Sequence, residues 1–153
     1  MTTNSAINLN NTNASSTTFL RGDKTWVALG TVVSSNRPYA SVLTLVNNTS
    51  TDIVSVSLSV GTWLVQGNCF WDWEGFPTGI TIQSWINTSS VTPPNFSLQQ
   101  YMSNMTSEFI GMNVPSTTVV VSSGTTTAYL SGAAVFASNH VYVCGNIIAV
   151  KIA

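Results

Sequence analysis

Between Thr62 and Trp73 the chain alternates without a break. Trp63, Val65, Gly67, Cys69, Trp71 and Trp73 form one set, and Leu64, Gln66, Asn68, Phe70 and Asp72 form the other. Successive side chains of an extended chain point to opposite faces, so this segment is a strand with three indoles on one side. The first set faces a core, and the second makes a half-polar outer face. The same reading over residues 79–86 turns Ile80, Ile82 and Ile86 inward and Thr81, Gln83 and Trp85 outward.

Elsewhere the pattern is strand, turn, strand. Segments 25–33, 40–47, 53–60, 62–73, 79–86, 107–113, 117–122, 125–137 and 141–152 are rich in Val, Ile, Thr and aromatic residues, which favour strands. Asn36-Arg37-Pro38, Asn47-Asn48, Ser123-Gly124 and Ser138-Asn139 read as turns, and Pro93-Pro94 as a loop. No segment has a sustained 3.6-residue period; residues 96–106 come closest and allow a short helical turn. Many short strands joined by regular turns predict an all-β sandwich or barrel. Residues 1–18, mostly Asn, Thr, Ser and Ala, read as a flexible lead-in or shaft remnant, and 19–153 as the folded domain.

Composition excludes several function classes. A chain of 153 residues buries a core without disulfides or a metal. Its 44% hydrophobic and 10% aromatic content is that of a folding chain. Charged residues make up only 6%, against about 25% in an average soluble domain. The polar surface therefore comes from Ser, Thr, Asn and Gln, an uncharged polarity common in extracellular and virion proteins. Four scattered cations, Arg21, Lys24, Arg37 and Lys151, cannot neutralise the phosphates that nucleic-acid binding needs, nor act as a polybasic membrane anchor. No apolar run approaches the ~20 residues of a membrane span. Met1–Ser16 lacks the cationic start and apolar centre of a signal peptide. These features suit a protein made in the host cytoplasm and displayed on a particle released by lysis. Cys69 and Cys144 either join in one disulfide or lie as two buried thiols, the commoner state of such residues.

The last two strands carry apolar residues on both faces. Val141, Val143, Ile147 and Ala149 share one, and Tyr142, Cys144, Ile148, Val150 and Ile152 share the other. A strand apolar on both faces needs cover on both, and a second subunit supplies it most simply. A homo-oligomer of closed symmetry is expected on this ground.

The stretch Ser15-Ser16-Thr17-Thr18-Phe19-Leu20-Arg21-Gly22-Asp23-Lys24-Thr25-Trp26 resembles the opening motif of many bacteriophage tail-fibre and tail-spike C-terminal regions, with Lys24 where Gly is usual. Thr62–Asn68 is similar to a strand of the same domains. So is the ending, Thr127–Phe136 followed by Val141–Ala153. Together these segments resemble the receptor-binding tip domain of such fibres over residues 15–153. The resemblance implies a C1q/TNF-like jelly roll, trimeric, with strands 125–137 and 141–152 near the three-fold axis. It implies a phage virion protein, at the tail or fibre tip, that binds a bacterial surface receptor, often a polysaccharide, during adsorption. The N-terminus would meet other virion proteins. Only 14 residues precede the motif, which leaves open a fibre tip or a separate small virion protein. The alternative function is a structural virion part (head fibre, decoration or baseplate component) without receptor binding.

An aromatic ring stacks on the apolar face of a sugar while nearby amides bond its hydroxyls, the combination that binding pockets use in general. Trp85, Gln83, Phe76, Tyr101, Asn87 and Asn95 are the candidate glycan contacts on this ground, with Gln99 and Gln100 beside them. Trp85 and Tyr101 equally suit a subunit interface, where aromatics are enriched. Catalysis is not expected. Asp72 and Glu74 read as a solvated strand end before they read as a glycosidase pair. His140, the only histidine, has no nucleophile motif to serve. No cofactor or metal site is expected, because Asp52, Asp72, Glu74, Glu108 and His140 show no ligand spacing. Arg21-Gly22-Asp23 reads as a turn into the first strand.

Overall fold

The computed structural model describes residues 18–20, 26–28, 30–74, 80–93, 99–103, 109–137 and 140–153. The chain divides into two compact units, Met1–Thr31 and Val32–Ala153. In the first, β1 (Thr18–Leu20) pairs antiparallel with β2 (Trp26–Ala28), Leu20 standing opposite Trp26. The Ser15–Trp26 stretch thus holds β1 and the first residue of β2; Arg21-Gly22-Asp23, expected to turn, lies outside the described residues.

The second unit is built on two very long strands. After β3 (Val32–Arg37), a 3₁₀ turn at Tyr39–Ser41 and β4 (Leu43–Thr44) comes β5, Thr51–Trp73. β6 (Thr81–Asn87), β7 (Gln99–Ser103), β8 (Phe109–Val135) and β9 (Val141–Lys151) follow. β5 has 23 residues and β8 has 27, whereas strands in globular proteins usually have 3–10. Each is long because it serves two layers. Thr51–Ser59 of β5 pairs with Thr125–Gly132 of β8, and β6 and β7 continue that layer. Gly61–Asp72 pairs with Val121–Phe109, while β9 joins β5 on its other side and β3 and β4 join β9.

The crossing point is a bulge. Ser59 stands opposite Thr125 and Gly61 opposite Val121, so Val60 faces three residues of β8. Gly61 at φ 142° and Gly124 at φ 64° supply backbone conformations that other residues rarely adopt. Strands that change sheets at such bulges form the corners of a sandwich.

The alternation predicted for Thr62–Trp73 is what the structure has. Trp63, Val65, Cys69, Trp71 and Trp73 are buried, and Gln66, Asn68 and Phe70 are exposed. The layers meet face to face: a methyl group added at Gly132 of one layer would lie 2.9 Å from the ring of Trp71 in the other. Leu58, Trp63, Trp71, Ile82, Leu130 and Ile147 belong to one continuous core.

Four expectations are corrected. Segments 53–60 and 62–73 fall in one strand, and the segments expected at 107–113, 117–122 and 125–137 are joined in the single strand Phe109–Val135, because the breaks between them are bulges rather than turns. Within 40–47 only Leu43–Thr44 is strand. The segment with a weak helical period contains β7, which pairs with β6. Trp85 does not point to solvent: it is fully buried. It stands opposite Ser131, whose hydroxyl donates to Asp52 Oδ1 at 2.5 Å. Ser90 Oγ and the Val91 amide also donate to Asp52, at 2.5 and 2.9 Å. The segment after β6 is thus drawn back over the face that Trp85 occupies.

Cys69 and Cys144 are free and buried. Cys69 stands opposite Gly145 and Phe70 opposite Cys144, so the two thiols point to opposite faces of the sheet.

Candidate functional site

The outer face of the layer formed by β3, β9, Gly61–Asp72 of β5 and Phe109–Val121 of β8 collects most of the unassigned chemistry. Asn36 stands opposite Asn146, Asn146 opposite Asn68, and Asn68 opposite Asn113. All four are exposed. They form a row of carboxamides across four strands, spanning about 14 Å at the usual strand spacing. Each carboxamide carries two donors and one acceptor oxygen.

The row has a wall on either side. One pleat away in the direction of Trp73, Phe70 stacks on Phe109 with ring centres 5.9 Å apart, and Tyr39 meets Phe70 edge-on at 6.0 Å. These three rings are 38–55% exposed, unusual for residues able to pack inside. On the other side lie Gln66, Ile148 and Ser34, opposite one another on neighbouring strands. Two shallow depressions follow the row. One, of about 300 Å³, is lined by Gln66, Asn68, Asn113, Ser116, Asn146 and Ile148 among others. The second, of about 510 Å³, is lined by Ser34, Ser35, Asn36, Asn146, Ile147 and Ile148. Both share Asn146 and Ile148, so the trough continues across the sheet.

Beyond the aromatic wall the face turns acidic. Tyr39 donates its hydroxyl to Asp72 Oδ2 at 2.5 Å, and Tyr142 donates to Glu74 Oε1 at 2.9 Å. These bonds, ahead of slight desolvation, push both phenols above their ordinary range. His140 Nδ1 lies 3.4 Å from Glu74 Oε2, and its ring stacks on Tyr142. Asp72 and Glu74 are therefore held as a solvated rim by separate tyrosines. Among the described residues no group of three or more His, Cys, Asp or Glu could hold a metal, and no helix is long and apolar enough to cross a membrane.

Of the candidate glycan contacts, Gln83, Trp85, Asn87 and Tyr101 fall in the other layer. Gln83 and Tyr101 face each other across β6 and β7, with Tyr101 54% exposed. Asn87 is spent on the following turn, donating Nδ2 to the Thr92 carbonyl at 2.9 Å and accepting from the Thr88 amide at 2.7 Å. Trp85 is enclosed. Phe76 and Asn95 lie outside the described residues. The asparagine row escaped the sequence reading because its members come from four separate strands. The one signal was the half-polar outer set containing Gln66, Asn68 and Phe70.

No protein-family model and no curated protein matches the chain. Solved structures do. The chain is similar to a chain in the structure of infectious bursal disease virus Gx strain, with a TM-score of 0.50 and 7% identity, over 84% of this chain and 35% of that one. A chain of the infectious bursal disease virus VP2 subviral particle aligns with a TM-score of 0.42 and 8% identity, over 80% and 30% of the respective chains. This protein spans about a third of the length of the chains it matches. At 7% identity the likeness speaks to architecture alone: the fold is an antiparallel β-sandwich of jelly-roll type.

Proposed function

We propose that the chain is a bacteriophage virion component that attaches the particle to its host, by binding a cell-surface polysaccharide on the asparagine face. Its role is binding without catalysis. The observation that supports this reading most is the exposed four-asparagine row bounded by exposed rings, the pairing of amide and aromatic groups that sugars require. The resemblance of Ser15–Trp26 to the tail-fibre motif supports a fibre-tip role, and a β-sandwich fold is compatible with a virion component. A homotrimer is part of the proposal: three weak sites on one particle give firm attachment through avidity.

A second reading, a structural virion part, draws on the far end of the same face. Val32, Val120 and Ile152 are 56%, 71% and 59% exposed there, apolar area suited to packing against another protein.

The test is adhesion of fluorescently labelled protein to a panel of bacterial strains with and without their surface polysaccharides, after light scattering has given the oligomeric state. Adhesion that disappears with one polysaccharide is expected. Binding to no strain by a folded trimer would move the assignment to the structural role.

A further inference from the structure

Resting on the receptor reading, we infer that the ligand of the asparagine face is an uncharged glycan lying across the four strands, not an anionic polymer. Bacterial surfaces offer both kinds, and the residues distinguish them.

Anionic chains are held by guanidinium and ammonium groups. The two cations among the described residues are turned to other work. Arg37 donates Nε to the Ile53 carbonyl at 2.7 Å and Nη1 to the Ser41 carbonyl at 3.2 Å. Lys151 stands opposite Trp63, in the alternate set of β9 that faces away from the asparagine row. Among the described residues, the formal charges nearest the row are the carboxylates of Asp72 and Glu74 beyond the aromatic wall. They repel an anion and suit hydroxyl donors.

Uncharged sugars need what the face does present. Their hydroxyls donate and accept, as carboxamides do. Four carboxamides at the spacing of adjacent strands, about 4.8 Å, address an extended oligosaccharide at successive points rather than one sugar. Phe70, two residues from Asn68 on the same face, keeps part of its aromatic surface exposed, and Ile148 lines the opposite side. The ligand therefore runs perpendicular to the strands, along the trough from Asn36 to Asn113.

The test uses the full chain and the strain to which it adheres. Surface polysaccharide from that strain is separated by anion exchange into neutral and anionic fractions, and each competes with labelled protein for cells. The neutral fraction is expected to displace the protein, with an affinity that stays within about twofold between about 0.01 and 1 M salt, because no screened ion pair contributes. Asn68→Ala and Asn146→Ala each lower affinity by about 3- to 10-fold, the effect of a lost uncharged hydrogen bond. Their tryptophan fluorescence should match the parent, since both sites are exposed. Displacement by the anionic fraction, affinity that collapses with salt, or unchanged binding by both variants would overturn the inference while leaving the adhesin reading standing. Displacement by neither fraction, which would indicate a protein receptor, would do the same. Adhesion to no strain at all would remove the receptor reading itself, and this inference with it.

Discussion

Replacing Gly145 with alanine should unfold this protein far more easily than replacing Gly111, although both glycines stand opposite neighbouring residues of β5. Gly145 faces Cys69 and Gly111 faces Phe70. A Cβ at Gly145 would press on the Asn68 carbonyl oxygen, and would lie 3.2 Å from the Cys69 Cα and 3.3 Å from a methyl of Leu130. Two of these three neighbours are backbone and cannot turn aside. The β5–β9 ladder must open, next to the asparagine row. Overpacking of a tight interior costs about 1–3 kcal/mol, and contact with backbone places Gly145→Ala at about 3 kcal/mol. Unfolding entropy near the midpoint is about 2.1 cal/mol/K per residue, or about 0.26 kcal/mol/K over the larger unit. The melting temperature should then fall by about 12 °C. A Cβ at Gly111 meets nothing within 4 Å. Gly111→Ala should leave the midpoint unchanged or raise it slightly, since alanine restricts the unfolded chain. Thermal unfolding followed by near-ultraviolet circular dichroism measures both. A Gly145→Ala midpoint within about 2 °C of the parent, or an equal loss in Gly111→Ala, would refute the close approach of β9 to β5 described here.

Three further outcomes follow from the same contacts. Asp52→Ala removes the acceptor of three hydrogen bonds; it should cost about 2 kcal/mol and speed hydrogen exchange at the Val91 amide, and unchanged exchange there would mean that Asp52 does not hold that turn. Burial pushes the Cys69 thiol from its ordinary 9.0 to about 12, so in native protein at pH 8 it should resist alkylation, and oxidants should not join it to Cys144; rapid labelling or an intramolecular disulfide would contradict the buried, opposed placement. Cys69, Cys144, Tyr39 and Tyr142 are all held above their ordinary values, so the unfolded chain loses protons first as pH rises. Stability that is complete below about pH 9 should decline progressively above it, and urea midpoints that hold steady from pH 8 to pH 11 would refute this.

The sequence by itself determined the strands and their faces. Alternation is a local property: Trp63 and Trp71 share a side because each residue turns the next one over, whatever the strand later pairs with. Thus the inward set of Thr62–Trp73 and the polar outer set with Asn68 and Phe70 were legible before any fold was known. Tertiary structure decided the rest. Gly61 and Ser123-Gly124 read as ends of strands, because a bulge and a turn use the same residues; only pairing of β5 with β8 makes them one corner. Trp85 read as exposed because alternation assigns a face and not what covers it, and the cover is drawn in by Asp52, which stands on another strand. The asparagine row belongs wholly to this second kind of information. Asn36, Asn68, Asn113 and Asn146 are scattered through a chain rich in asparagine, and register alone aligns them: a one-residue slip of any strand would turn its asparagine to the opposite side. Burial of Trp63, Trp71 and Ile147 on the other face fixes that register, so the core holds the candidate site in line.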